Sequence, residues 1–303
     1  MSANLTIVVL AYNSAHIIGE CLNKLNFEKY KVVVVDNASK DNALEFVRKN
    51  FPQAEIIALP KNIGYGNGNN AALKLVATDF ALVLNPDAMI LEKDIETVLS
   101  VMRNDASIAM TGPIILDEYP ANKNEVEKKI SRSESDLTKA EGNYYEKIDG
   151  NFAARFLSGA ALFMKISIMK KIGFFDEKIF LYYEDDEICA RVRNNGYKNI
   201  IVTNALAFHV SGGGKSSGSS LKVIYKKNWH LVWSKLYWKK LRKGILGAKR
   251  SAFKLSIVYL IKALFCALTF NREKLVLNLG SSAGAFSFFI GLEAFDKNGN
   301  SRG

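Results

Sequence analysis

The chain has 303 residues, 49% of them hydrophobic and 23% charged, with only 5 prolines. That excludes a disordered or low-complexity protein and leaves enough apolar sequence for two domains, or for one large α/β domain with an appendage. The net charge of +11 is unevenly held: residues 221–270 carry twelve Lys and Arg and no Asp or Glu, so the rest of the chain is close to neutral, and a stretch this basic seeks phosphates, of nucleic acid or of a membrane surface.

Residues 5–10, LTIVVL, form an uninterrupted apolar run, as in a strand buried on both faces. No basic flank precedes it, so a first strand is expected rather than a signal peptide. Residues 14–26 carry Ile17, Ile18, Cys21, Leu22 and Leu25 at helical spacing behind Ser14, a candidate cap. Residues 32–36, VVVVD, read as a second strand; Ser39 and Asp41 can open a second helix bearing Leu44, Phe46 and Val47; residues 54–59 read as a third strand. The next segment starts glycine-rich and turns helical near Asn69, and residues 80–85 form a fourth strand that ends in Pro86-Asp87. This alternation implies a largely parallel sheet with right-handed crossovers, in which ligands bind at the carboxyl ends of strands. Tyr12, Asn13, Asp36, Asn37 and Asp87 stand just there.

Residues 117–150 are polar and weakly periodic and read as a long surface insertion. Apolar structure resumes near Phe152. Residues 200–202 and 205–210 read as strands, and SGGGKSSGSS (211–220) as a flexible linker. Cys21, Cys189 and Cys266 share no close spacing, which fits neither a disulfide framework nor a zinc set and favours a reducing cytoplasm. No run of 18 uncharged apolar residues occurs, so no clear membrane span is expected.

Three places carry possible chemistry. Asp36, at the end of a strand, suits a nucleoside base or ribose, or else caps a turn. The neighbouring GYGNGNN (64–70) suits a phosphate cradle, or simply lets a helix pack close to the sheet. In LNPDA (84–88), Asp87 is fixed by a proline and suits a hard divalent cation such as Mg2+ or Mn2+, with a plain Asx/Pro turn as the alternative. In YYEDDE (182–187), four acids stand where a helix begins, more than capping requires. Tyr182, Tyr183, Phe174, Phe175 and Phe180 surround them, and clustered carboxylates can hold one member at a pKa useful to a general base. His209 ends a late strand and is either structural or turned to the same cleft.

The stretches 6–14, 32–42, 59–73, 82–90, 156–197 and 205–216 together resemble an inverting family-2 glycosyltransferase of the GT-A fold, and among these the rhamnosyltransferases of bacterial polysaccharide synthesis. The resemblance implies a Rossmann-like, mostly parallel central sheet with flanking helices over residues 1–216. It divides this region into a nucleotide-sugar half (about 1–115), the insertion (about 117–150) and an acceptor half (about 151–216), followed by a helical region, 217–303. It also implies roles. Tyr12, Asn13, Asp36 and Asn37 would hold the donor nucleoside, and Gly64 and Asn69 would approach the donor. Asp87 matches the metal-binding acid of a D-x-D-like motif in which Asn85 replaces the first acid. Asp185 matches the general base, with Glu184 beside it, and His209 completes the metal or diphosphate site. Lys215 is a further cation for the departing diphosphate.

The region after 220 acquires a role in that light. Tyr225, Trp229, Trp233 and Tyr237 recur every four residues and stripe one helical face among lysines. Residues 255–270 are apolar apart from Lys262, and residues 275–292 are apolar with many glycines and serines. Basic aromatic helices lie in membrane interfaces, so residues 221–292 are expected to touch a membrane, with packing against the rest of the protein as the alternative. A lipid-linked glycan acceptor would make the contact functional, and peripheral attachment to the cytoplasmic face of the inner membrane follows. A UDP-hexose or UDP-N-acetylhexosamine donor, an inactive nucleotide-binding scaffold and a nucleic-acid-binding protein are the competing readings, although no nucleic-acid recognition motif is present. The sequence does not specify an oligomeric state.

Overall fold

The computed structural model describes residues 4–117, 147–148, 150–209 and 220–303. Most of the predicted insertion, and the linker with Lys215, lie outside these residues. The described residues form two compact units, one drawn from 1–60, 68–175 and 188–214, the other from 61–67, 176–187 and 215–303.

The first unit is a ten-stranded mixed sheet with helices. Its first half follows the apolar runs closely: β1 (Leu5–Ala11), β2 (Lys31–Asp36), β3 (Glu55–Ala58) and β4 (Phe80–Leu84). β1 is buried at every position, as is β4, which is why neither alternates polar and apolar residues. β1 pairs in parallel with β2 on one side and β4 on the other, and β2 pairs in parallel with β3. The chain therefore steps outward from β1 to β3 and then returns across β1 to β4.

The second half of the sheet adds β5 (Ala88–Ile90), β6 (Ile108–Leu116), β7 (Lys147–Ile148), β8 (Asn151–Ala153), β9 (Ala161–Lys165) and β10 (Lys198–His209). β9 runs antiparallel between β4 and β6, β10 pairs in parallel with β6, and β5 and β8 pair antiparallel to β10. The two late strands read from sequence are one 12-residue strand, and the polar break between them survives as a register shift between Val202 and Leu206.

The helices depart further from expectation. α1 (Ile18–Leu22) is one short piece of the predicted 14–26: the Ala15 N–H is taken by the Asp41 carboxylate, and the Ile17 and Ile18 N–H groups both donate to the Ser14 carbonyl in a turn. α2 (Ala43–Asn50) lies where expected. α3 (Tyr65–Leu73) begins inside the glycine-rich stretch rather than near Asn69. α4 (Glu92–Asn104) buries Ile95, Val98, Leu99 and Met102, an i, i+3, i+4, i+7 stripe. α5 (Ile166–Ile172) and α6 (Glu184–Asn194) follow, the latter opening on the four acids as read.

The second unit is helical: α7 (Leu221–Lys243), α8 (Ile245–Leu268) and α9 (Arg272–Phe289). Ser220 caps α7 by accepting from the Val223 N–H, and Gly244 ends it at φ +79. The four-residue aromatic stripe of α7 faces inward. Trp229, Trp233 and Tyr237 are buried and stacked, with successive ring centroids 6.3 and 5.3 Å apart and ring planes nearly parallel. The apolar surface left uncovered is that of α8, whose buried side is lined by Ala248, Ala252, Ser256 and Ala263 while Leu264, Phe265 and Leu268 are exposed. Despite the interrupting Lys262, α8 is long and apolar enough to cross a membrane.

The glycines of α9 are packing residues. A Cβ on Gly284 would lie 2.3 Å from the Trp229 carbonyl oxygen, and one on Gly280 would lie 2.4 Å from that of Tyr225. Backbone cannot yield as a flexible side chain can, so Gly284→Ala is expected to cost the helical unit about 1–3 kcal/mol of overpacking. Chemical denaturation of the variant checks this, and an unchanged midpoint would contradict the close helix–helix approach.

Candidate active site

The sheet reverses direction of growth between β1 and β4, and in open α/β sheets the crevice at such a switch point is where ligands bind, outside the carboxyl ends of the strands. Four of the sequence-predicted residues flank it: Tyr12 and Asn13 follow β1, and Asn85 and Asp87 follow β4. Tyr12 is 45% exposed, with an open ring at the strand end. Asn13 adopts φ +51, a left-handed conformation that asparagine tolerates. Its amide N–H donates to the Ser39 hydroxyl at 3.0 Å, and its side-chain oxygen accepts from the Lys40 N–H at 2.7 Å, which ties the end of β1 to the loop after β2.

That loop begins with Asp36 and Asn37, both buried. The Asp36 carboxylate accepts from the Ser39 N–H at 3.2 Å, and the Asn37 N–H donates to the Ala11 carbonyl at 2.9 Å. Asp36 thus does the turn work that its position first suggested, and one hydrogen bond leaves further acceptor capacity on its carboxylate. A Cβ on Gly68 would come 2.5 Å from the Leu10 side chain, so this glycine does let α3 lie close on the sheet. Asn69, next to it, is fully buried.

Asp87 owes its position to a turn and to a strand pairing. Ala88 N–H donates to the Asn85 carbonyl at 3.0 Å, with Pro86 at the second place of the turn, and the Asn85 N–H is held by the Ala160 carbonyl at 3.0 Å. Antiparallel pairing of β5 and β10 then sets His209 opposite Ala88, one residue from Asp87. The result is an Asp87 Oδ1–His209 Nε2 contact of 3.1 Å between two partly exposed side chains. Asp87 raises the His209 pKa above its usual value, against the opposing effect of burial. A carboxylate and an imidazole side by side offer a divalent cation one oxygen and one nitrogen donor: oxygen donors suit Mg2+ and Mn2+, and the imidazole tilts the pair toward the transition ion. Among the described residues no group of three or more His, Cys, Asp or Glu surrounds one point.

The second unit holds the other predicted residues, Gly64, Glu184 and Asp185. Gly64 sits at φ +91, and a Cβ there would lie 2.2 Å from the Phe180 carbonyl oxygen, the same oxygen that accepts the Tyr65 N–H at 2.9 Å. Segment 176–187 is fixed further by Tyr237, whose hydroxyl donates to Asp176 at 2.8 Å, and by Ser234, whose hydroxyl donates to the Leu181 carbonyl at 2.9 Å. Just before the acids, Tyr182 and Tyr183 both take positive φ, +68 and +67. Two bulky residues in succession there store strain, on the order of 1–2 kcal/mol each. Glu184 is buried, with one carboxyl oxygen lacking a hydrogen-bond partner. Burial first, and the adjacent Asp185 charge second, hold its carboxyl well above the usual range. Asp185 is the more exposed of the two.

Residues 6–171 match the family described as glycosyl transferase family 2. The chain belongs to that family. The fold agrees: over 95% of this chain and 87% of its own, a mannosyltransferase from Pyrobaculum calidifontis, solved with GDP-Man and Mn2+, superposes with a TM-score of 0.55 at 16% identity. TarS of S. aureus, solved with UDP, superposes with a TM-score of 0.52 at 16% identity over 95% of this chain and 92% of its own. Among sequence relatives, an N-acetylglucosaminyl-diphospho-decaprenol L-rhamnosyltransferase of Mycobacterium tuberculosis is 22% identical over 65% of this chain and 73% of its own. A low-salt glycan biosynthesis hexosyltransferase of Haloferax volcanii is 26% identical over 64% and 62%. The architecture is that of a GT-A glycosyltransferase, here carrying three C-terminal helices.

One positioning residue and one backbone feature near the site are not evident from the sequence. Asn70, buried on α3, accepts from the Phe175 N–H at 3.1 Å and donates to its carbonyl at 2.9 Å, securing the backbone just ahead of segment 176–187. The doublet Asn69-Asn70 early in a helix was the available signal, since asparagine is a poor helix former without such a task. The paired left-handed tyrosines had no signal at all, because neither is a residue type that seeks positive φ.

Proposed function

We propose that the chain is an inverting glycosyltransferase that moves a sugar from a nucleotide-diphosphate donor, with L-rhamnose from dTDP-rhamnose as the leading candidate, to a lipid-linked glycan at the cytoplasmic face of a membrane. The observation that carries this reading is the convergence of Tyr12, Asn13, Asn85 and Asp87 on the switch point between β1 and β4. The exposed Tyr12 ring offers a stacking face to the donor base, and Asp36 has acceptor capacity left for a base or ribose donor. The M. tuberculosis relative supports the rhamnosyl assignment and the H. volcanii relative a hexosyl one.

The chemistry is one displacement. The acceptor hydroxyl gives its proton to a carboxylate as its oxygen bonds to the anomeric carbon, and the bond to the diphosphate breaks with the electron pair leaving on the diphosphate. We assign the proton to Asp185, the less buried of the two acids. Glu184 is buried with its pKa raised, by burial first and by the Asp185 charge second, so ionising it beside Asp185 is disfavoured. Asp87 and His209 would hold Mg2+ or Mn2+. When bound, the ion neutralises charge on the departing diphosphate.

Membrane contact is assigned to α8. Its outward side presents Leu264, Phe265 and Leu268, the last 79% exposed, and Phe270 beyond it is 90% exposed. Lys249, Arg250, Lys254 and Lys262 are on the same helix, and apolar residues beside basic ones suit an anionic bilayer surface. The three cysteines are free and buried, as suits a reducing compartment.

The test is release of nucleotide by purified protein from a panel of dTDP-rhamnose, UDP-hexoses and UDP-N-acetylhexosamines, with Mg2+ or Mn2+ and lipid vesicles. Release from one donor names the sugar, and no release or thermal stabilisation with any donor contradicts the reading. In the same assay, Asp87→Ala is expected to weaken donor binding by roughly 10-fold or more, on the scale of one lost charge-assisted contact. A chelator should do the same to the native protein and little more to the variant. Chelator-insensitive donor binding would remove the metal from this account.

A further inference from the structure

The helical unit contains a cavity of about 120 Å3 that the transfer chemistry does not use. Its buried walls are aromatic: Trp233, Tyr237 and Phe288. Their polar atoms are already engaged, the Trp233 indole N–H with the Leu292 carbonyl at 2.8 Å and the Tyr237 hydroxyl with Asp176 at 2.8 Å. The cavity is therefore offered ring surface rather than donors. Its charged lining is the reverse of its walls. Lys178, Lys240 and Lys249 come from three different segments, against the single carboxylate of Glu293. None of the three lysines has an ion-pair partner among the described residues. The Lys240 ammonium stands 5.7 Å from the Tyr237 ring centroid, so positive charge reaches the aromatic wall itself.

Unpaired ammoniums at an aromatic cavity call for an anion with an apolar body. Ile245 and Leu292 line the same cavity and are exposed, and Ile245 opens α8, with Leu246 after it 73% exposed. An apolar chain leaving the cavity would continue over that surface. We propose that this cavity binds the phosphate end of an amphiphile, a phosphate ester on an alkyl or isoprenoid chain, seated by Lys178, Lys240 and Lys249. The inference rests on the membrane contact assigned to α8. It goes beyond that contact by giving the helical unit a head-group site of defined charge.

Calorimetric titration of the full chain with decyl phosphate, below its micellar concentration, tests the proposal. Decyl phosphate is expected to bind, decanol and inorganic phosphate to bind at least 10-fold more weakly, and Lys178→Gln/Lys240→Gln/Lys249→Gln to bind decyl phosphate at least 10-fold more weakly. The lysines are exposed, so the variant should keep its helical circular dichroism, and restoring arginines should restore binding. Dihexanoyl phosphatidylglycerol distinguishes the sources: equal binding points to phospholipid head groups, and preference for decyl phosphate points to a lipid phosphate monoester. Decyl phosphate that fails to bind, binds the triple variant equally, or binds no better than inorganic phosphate overturns the proposal. Co-sedimentation with mixed phosphatidylcholine and phosphatidylglycerol vesicles, native against Leu264→Asp/Phe265→Asp, judges the membrane contact separately, because neither residue lines the cavity.

Discussion

Asp185→Asn is expected to lower kcat by about 10²–10⁴-fold, the range for loss of one general base, while the donor dissociation constant stays within about twofold. The substitution keeps the size of the side chain and removes only the capacity to take a proton. Glu184→Gln is the informative partner. A protonated glutamate and a glutamine are close in shape, and burial raises the Glu184 pKa, disfavouring its ionised form. The Gln variant should therefore keep turnover within about tenfold of native, the spread expected when a buried group is replaced by a near isostere. Single-turnover rates with a saturating donor separate the two. Native-like turnover in Asp185→Asn, or a larger loss in Glu184→Gln than in Asp185→Asn, would reassign the base.

Gly64→Ala should be the most damaging of the glycine substitutions. Any L-residue there must adopt φ +91, and its Cβ would lie 2.2, 2.8 and 2.9 Å from three backbone atoms of Phe180. A left-handed alanine costs about 1–2 kcal/mol, and forcing the backbone apart adds about 1–3 kcal/mol. A total of about 2–5 kcal/mol would be a large part of a domain's stability. The segment that must move carries Glu184 and Asp185, so turnover should fall together with the melting temperature. The sequence reading gave Gly64 a different task, approach to the donor, and the experiment separates the two. If packing is the role, Tm and kcat drop while donor affinity in the folded fraction is kept. A variant with native Tm and lost donor binding would return Gly64 to the donor.

The legible part of this protein was the part whose burial is uniform. Valines at 32–35 and the apolar runs of β1 and β4 could hardly be anything other than central strands, and the residues immediately after them were candidate ligands by topology alone. Asp87 and His209 lie 122 positions apart, and their 3.1 Å contact follows from the register of β5 on β10, which no local pattern encodes. α4 shows the opposite case, a stripe of Ile95, Val98, Leu99 and Met102 that was present in the sequence and not taken up.

The tail shows most clearly where sequence reasoning stops. Spacing correctly put Tyr225, Trp229, Trp233 and Tyr237 on one face of a helix, but spacing specifies a face without saying what covers it. The small residues of α9 decided that, since Gly280 and Gly284 let two backbones meet and closed over the aromatic stripe. The apolar surface left open was then that of α8. By itself the sequence determined the first four strands of the sheet, the acids at the head of α6, the family to which the chain belongs and the charge of its last third. Only the tertiary structure decided which acid is buried, which glycines are crowded and which hydrophobic face remains uncovered, because each of these depends on a neighbour far away in the chain.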